Sequence, residues 1–312
     1  MSAHSSKKVI FAALIGNFLI FVTKLGAALY TNSSAMFSEA VHSIVDCGNQ
    51  VLLLYGIKKA SKSADRDHPF GYGKELYFWS FVVAMLIFAV GAGVSLYEGI
   101  HKIIEPAEIT SIHINYIVLS VAILFEAYPW KMAFDEFNSR RGKRGMVDAV
   151  RRSKDPSLFA ILFEDTAALL GLTTALVGLF IGDYFNIPQA DGIASVMVGL
   201  ILAMTAAVLA FECKSLLIGE AADSKVVKSI GDLFEGHPSI DNINEVLTMH
   251  FGPDDILLNL SLDFKNDIPA GEVENTISIF EQKIKQMHPD IKRVFIEVQS
   301  KQGHLMNARM DN

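Results

Sequence analysis

Six stretches of this chain are apolar and long enough, at about 20 residues each, to cross a ~30 Å hydrocarbon layer. They cover 9–30, 35–57, 76–100, 114–133, 156–184 and 188–217. The second is interrupted. From 34 to 59 it reads SAMFSEAVHSIVDCGNQVLLLYGIKK, with Glu39, His42 and Asp46 set into an otherwise apolar run. An aspartate at the centre of a span costs about 2.5–3.5 kcal/mol on insertion scales. His42 and Asp46 are four apart, so on a helix they share a face, one turn above the other. An imidazole and a carboxylate on one face suit a divalent transition-metal ion. The plainer alternative is a polar pair that hydrogen-bonds a neighbouring helix, a task neutral side chains perform at lower cost.

Beyond 219 the pattern changes. A short amphipathic helix is expected over 224–235, ending at Gly236-His237-Pro238. The stretches 240–248 and 256–264 alternate as strands do, around a Gly252-Pro253-Asp254 turn. Val273, Ile277, Phe280 and Ile284 form a helical stripe within 271–287, and 294–298 is a last strand. The order α-β-β-α-β predicts a small α+β domain, ferredoxin-like, with helices on one face of a sheet. The last dozen residues show no pattern and are expected to fray. The chain therefore divides into a transmembrane domain, 1–218, and a C-terminal domain, 219–312. The fold class is a polytopic α-helical membrane protein with six transmembrane helices and a cytoplasmic α+β domain.

Composition agrees. Of 312 residues 51% are hydrophobic and 20% charged, with a formal charge of −7. Nine basic and 16 acidic residues lie from Gly219 onward, so the excess negative charge sits in the C-terminal domain. Nothing in that balance supports nucleic-acid binding. Two cysteines, Cys47 and Cys213, exclude a disulfide framework or a cysteine-rich zinc finger. MSAHSSKK leads straight into a long span, which is expected to be retained rather than cleaved as a signal peptide. Lys24 and Glu98 sit near span ends and are expected to snorkel to the headgroups.

Basic residues give the orientation. The connection 58–74 holds Lys58, Lys59, Lys62, Arg66 and Lys74; the connection 131–154 holds Lys131, Arg140, Arg141, Lys143, Arg144, Arg151, Arg152 and Lys154. The other connections are nearly free of positive charge. Both basic loops and both termini are thus expected in the cytoplasm, with the chain in a bacterial inner (cell) membrane.

Depth tests which polar residues meet. At ~1.5 Å per residue, Asp46 lies roughly 18 Å below the outer end of the second span. Glu164 and Asp165 lie about 12–14 Å above the cytoplasmic end of the fifth. In a ~30 Å core these levels coincide. Asn17 and Glu126 reach a similar depth. Several acids at one level would repel one another unless protons or a cation neutralised them.

Taken together, these residues resemble the cation diffusion facilitator family. The likeness rests on the six spans, His42-Ser-Ile-Val-Asp46, the acid at Asp165, the loop Asp65-Arg-Asp-His68-Pro-Phe-Gly-Tyr-Gly-Lys74 and the C-terminal α-β-β-α-β order. The resemblance implies a homodimer that exports zinc or a related divalent ion in exchange for protons, with no catalytic cofactor. It also implies a metal site with two ligands from each of the second and fifth spans, which would be His42, Asp46, Glu164 and Asp165. The family's fifth-span histidine position is Ile161 here, so Glu164 is the candidate replacement, with Glu126 or water as the alternatives. A carboxylate in place of an imidazole hardens the site and leaves manganese, iron(II) or cobalt open beside zinc. In the 58–74 loop, Asp65 and His68 match a second family site, but Tyr72 stands where another histidine would be; the alternative is a loop whose Asp67 and His68 cap the following turn. His237, His250 and His288 do not match the family's cytoplasmic ligands and are expected to be solvated, which leaves dimerisation as that domain's role. Cys47 points about 100° from Asp46 and is expected to pack rather than ligate.

An antiporter is not the sole reading of buried acids. A divalent-cation channel would need no alternating access, although channels more often use rings of acids or carbonyls. An intramembrane hydrolase would use Asp46 and Asp165 as a catalytic pair, and a metal sensor would bind without transport.

Overall fold

A computed structural model describes residues 2–31, 34–106, 112–143 and 145–310; the side chains of 2–6, 28, 31, 34–39, 41, 42, 147, 151, 308 and 309 fall outside that description. The chain forms two compact units, one of 1–62 with 75–214, the other of 63–74 with 215–312.

The first unit is helical. Its elements are α1 (Ser2–Thr31), α2 (Ser34–Ala60), α3 (Glu75–Leu86), a π-helical segment (Ile87–Ala92) that runs on into α4 (Gly93–Ile104), α5 (Ile112–Arg141), the short α6 (Met146–Arg152), α7 (Pro156–Phe185) and α8 (Ala190–Ile218). Among the described residues five segments are long and apolar enough to span a membrane: α1, α3 through α4, α5, α7 and α8. α2 has the length, at 27 residues, but carries the polar run that contains Asp46, Asn49 and Gln50. Phe11, Ile15, Leu124, Met204 and Phe211 point outward, an apolar exterior suited to lipid.

Local chemistry sets the helix ends. Pro156 opens α7, where a missing N–H is harmless, and Asn186 closes it in the left-handed conformation, at φ 55°. α5 continues eight residues past the predicted 133, through Pro129. That proline removes the hydrogen bond to the Phe125 carbonyl, yet the helix is held on both sides. Trp130 Nε1 donates to Thr166 Oγ1 on α7 at 2.9 Å. Gly16 on α1 faces Pro129 so closely that a Cβ there would lie 3.4 Å from the ring. Lys131, Arg140 and Arg141 are therefore helical rather than loop residues.

The second unit contains α9 (Ser224–Phe234), β1 (Ile240–Gly252), β2 (Asp255–Phe264), α10 (Ala270–Met287), β3 (Ile291–Val298) and α11 (Lys301–Met310). β1 and β2 pair antiparallel, and β3 returns beside β2 in parallel after the α10 crossover. Ile230 and Phe234 of α9, Leu258, Leu260 and Leu262 of β2, and Phe280 and Ile284 of α10 share one core. The expected α-β-β-α-β order is present. The last dozen residues, expected to fray, instead carry α11; its Lys301 N–H is held by the Asp263 carboxylate at 2.9 Å.

The connection 63–74 is built into this second unit. Phe70 stacks on Phe251 with centroids 5.1 Å apart. Arg293 Nη2 donates to the Phe70 carbonyl at 3.0 Å, while its Nη1 binds Asp255 Oδ1 at 3.0 Å. Lys74 lies over the Phe251 ring. A Cβ at Gly73 would overlap the Phe251 carbonyl oxygen, so this position requires glycine.

Candidate metal site

α2 and α7 bring the predicted acids together. Asp46 from α2 and Glu164 and Asp165 from α7 line one cavity of about 20 Å³, joined by Asn17 from α1, Asn49 from α2 and Glu126 from α5. That space holds about one water or a dehydrated ion. Ile87 and Gly91 of the π-helical segment close another side. π-bulges recur at functional sites because the wide turn displaces backbone and side chains from a regular helix. Leu202 of α8 completes the wall, and the polar residues that meet here are those placed at one depth by counting along the spans.

The acids differ in how they are held. Asp165 is 1% exposed, and its Oδ2 has no hydrogen-bond partner among the described residues. Neither do Asn17 Oδ1 and Asn49 Oδ1, also buried at this cavity. Glu164 is engaged on both carboxylate oxygens: Asn49 Nδ2 donates to Oε1 at 2.9 Å and Gln50 Nε2 to Oε2 at 3.4 Å. Buried oxygens without donors are costly, on the order of 1–3 kcal/mol each, and a bound cation removes that cost. Among the described residues no three His, Cys, Asp or Glu side chains are close enough to hold a metal together. The His42 side chain lies outside the described set, although its backbone is part of α2. The structure thus places three of the four predicted ligands at one cavity without drawing them into a coordination shell.

A second, wider cavity of about 90 Å³ adjoins the first and shares Asp46, Glu126, Ala168 and Leu202 with it. Its walls add Lys24, Ser43, Ser95 and Glu98. Lys24 was expected to snorkel. Instead it is 5% exposed and turned into the bundle, because packing of α1 against α2 and α5 covers its stem. Glu98 lines the same space rather than serving only as an interfacial charge.

Outside this region the other candidate side chains make hydrogen bonds within the second unit. Asp65 accepts the His68 N–H at 2.9 Å and the Tyr72 hydroxyl at 2.7 Å. Tyr72 thus occupies a carboxylate oxygen, and the loop caps its own turn. His237, His250 and His288 are not freely solvated as expected. His250 is buried with Nδ1 3.2 Å from the Gly252 carbonyl, His288 Nε2 lies 2.7 Å from Ser229 Oγ, and His237 accepts the Ser239 N–H. Cys47 is buried against α1, with Sγ 4.0 Å from the Leu14 carbonyl.

The sequence profile of the cation efflux transmembrane domain matches residues 10–218, more than half of the chain. This protein belongs to the cation efflux family. The cation efflux chain is 32% identical over 289 residues to a human protein named proton-coupled zinc antiporter SLC30A9, mitochondrial; the match covers 92% of this chain and 50% of that one. It is 28% identical over 265 residues to metal tolerance protein C4 of Arabidopsis thaliana, covering 84% and 58%. It is 24% identical over 297 residues to the manganese efflux system protein MneP of Bacillus subtilis (strain 168), covering 94% and 95%. The chain spans about half the length of the human relative it matches. Family and helices together make it an integral, multi-pass membrane protein of the family of the cation diffusion facilitators.

Sequence reasoning missed Lys24, Asn49 and Gln50 as parts of the site. Asn49 and Gln50 carried a signal: adjacent amides within a span are costly and need partners. Lys24 carried a weaker one, its place two turns beyond Asn17 on the same face of α1, and packing shows that this face turns inward.

Proposed function

We propose that this protein exports a divalent transition-metal ion from the cytoplasm in exchange for protons, with His42, Asp46, Glu164 and Asp165 as the transport ligands. Zinc is the first candidate ion. The observation that carries the reading is the 20 Å³ cavity at which Asp46, Glu164 and Asp165 meet, where Asp165 Oδ2 has no partner among the described residues. A dehydrated divalent ion needs anionic oxygens to offset lost hydration, and this cavity offers several. The human relative's name supports zinc and proton coupling, and the Bacillus name supports manganese. The oxygen-rich donor set keeps manganese, iron(II) and cobalt as rivals.

Coupling follows from the ligands. A carboxylate or imidazole must give up its proton to bind metal, so binding from the cytoplasm displaces protons and protons from outside displace the metal. Glu164 would leave its amide partners to complete the shell. The protein would act as a homodimer in a cell membrane, with both termini cytoplasmic.

The test is flux in sealed vesicles loaded at equal pH on both sides, then given a pH step, with several divalent ions in competition. Metal movement that follows the step, with matching proton movement, supports exchange. Flux that ignores the step favours a channel and overturns the antiporter.

A further inference from the structure

Lys24 is a buried cation at the edge of a cluster of acids. It follows Asn17 on α1 by seven residues, two turns along the same face, roughly 10 Å up the axis. Asn17 lines the smaller cavity and Lys24 the wider one. Asp46 and Glu126 line both. Glu98 faces the same space from α4, and the remaining polar groups on that wall, Ser43 and Ser95, are neutral. A buried ammonium that only anchored a helix end would have no need to share walls with the transport acids. Lys24 is 5% exposed, so bulk water screens its charge poorly.

We propose that Lys24 is a tethered counter-cation of the transport site, which neutralises Asp46 and Glu126 while no metal is bound and makes the site admit divalent over monovalent cations. This rests on the transport-site reading above. The reasoning is electrostatic. A sodium or potassium ion that replaced the ammonium would exchange one positive charge for another and would have to shed water to do so. A divalent ion brings one charge more, and in a poorly screened interior that difference is large. The ammonium is a compact charge on a flexible four-carbon stem, so it has room to yield by swinging along the wider cavity toward the end of α1. Lys24 therefore competes with every cation and is displaced by those of higher charge.

The experiment is zinc and manganese binding to the full chain, purified in detergent, by titration calorimetry at one pH. The parent is compared with Lys24→Met, Lys24→Arg and Asp165→Ala. Without the tethered charge, Lys24→Met is expected to bind metal about tenfold tighter or more, since one repulsive charge has gone. Its binding should weaken several-fold in sodium chloride relative to choline chloride at equal ionic strength, while the parent and Lys24→Arg show no such difference. A folded Lys24→Met protein with unchanged or weaker metal binding, or with no sodium-specific loss, overturns the proposal. If Lys24→Met does not fold, Lys24→Gln carries the same comparison, and failure of both to fold also overturns it, because the role would then be structural. Asp165→Ala separates the two ideas: undiminished metal binding there sinks the transport-site reading, whatever Lys24 does.

Discussion

Asn49 donates from Nδ2 to Oε1 of Glu164 across 2.9 Å, and this bond joins α2 to α7 at the level of the acids. It makes Glu164 either a fixed strut between the two helices or a ligand parked on a neighbour. Glu164→Gln distinguishes them. The amide keeps the shape and a hydrogen bond, so the fold should persist. Removal of even an outer-shell partner of a metal typically lowers affinity 10–100-fold, so losing a ligand carboxylate should cost at least about tenfold. Metal titration of the folded variant is the measurement. Affinity within a factor of two of the parent would assign Glu164 to the strut.

Asp46→Ala and Asp165→Ala should each abolish vesicle transport while the protein still inserts. Asp165 presents a buried oxygen with no donor among the described residues. Removing that carboxyl takes away an unfavourable group, so its melting temperature should hold or rise. A variant that moves metal at the parental rate would show that the central site lies elsewhere.

Much of this site was legible because helix rise turns sequence position into depth. Asp46, Glu164 and Asp165 could be placed at one level before any contact was known, and Asn17 and Glu126 with them. Direction around the helix was less accessible. Lys24 lies near a span end, where snorkelling is the ordinary outcome, and only the packing of α1 turned it inward. The 58–74 loop also escaped prediction. Its partners, Phe251 and Arg293, are nearly 200 residues away or more, and no local pattern encodes a stack across that distance. α11 was missed because Lys301 to Met310 contains two basic groups, a glycine and no clear apolar stripe; its first turn depends on Asp263 of β2.

The loop's attachment gives a stability prediction. Arg293→Ala removes the bond to the Phe70 carbonyl and the ion pair with Asp255, both partly exposed. The expected loss is about 1 kcal/mol. Gly73→Ala should do more, because its Cβ meets backbone that cannot yield. Limited tryptic cleavage at the exposed Arg66 reports both. Cleavage no faster than in the parent would mean the loop is held by other contacts.

The three C-terminal histidines should separate stability from metal binding. Replacing His237, His250 and His288 together by alanine removes contacts to Ser239, Gly252 and Ser229. For a domain near 100 residues, each kcal/mol lost lowers the melting temperature by about 4–8 °C, so a clear drop is expected. Metal bound per chain should stay the same. A fall in bound metal from the folded variant would reveal a metal site in the C-terminal unit.

Orientation is the last prediction, and buried native thiols make it accessible. Cys47 and Cys213 are both buried, so a membrane-impermeant maleimide should react little with the parent. Lys143 lies exposed in the connection between α5 and α6, and Gln189 lies exposed just before α8. The connection around Lys143 is dense in arginine and lysine. Arg140 there is paired with Glu136 and Asp155, yet the orientation rule counts basic residues rather than net charge, so those pairs do not weaken it. The connection around Gln189 has none. Lys143→Cys should therefore resist the reagent in intact cells and react after permeabilisation. Gln189→Cys should react in intact cells. The reverse pattern would invert the protein in the membrane, and the proposed direction of metal export would have to be inverted with it.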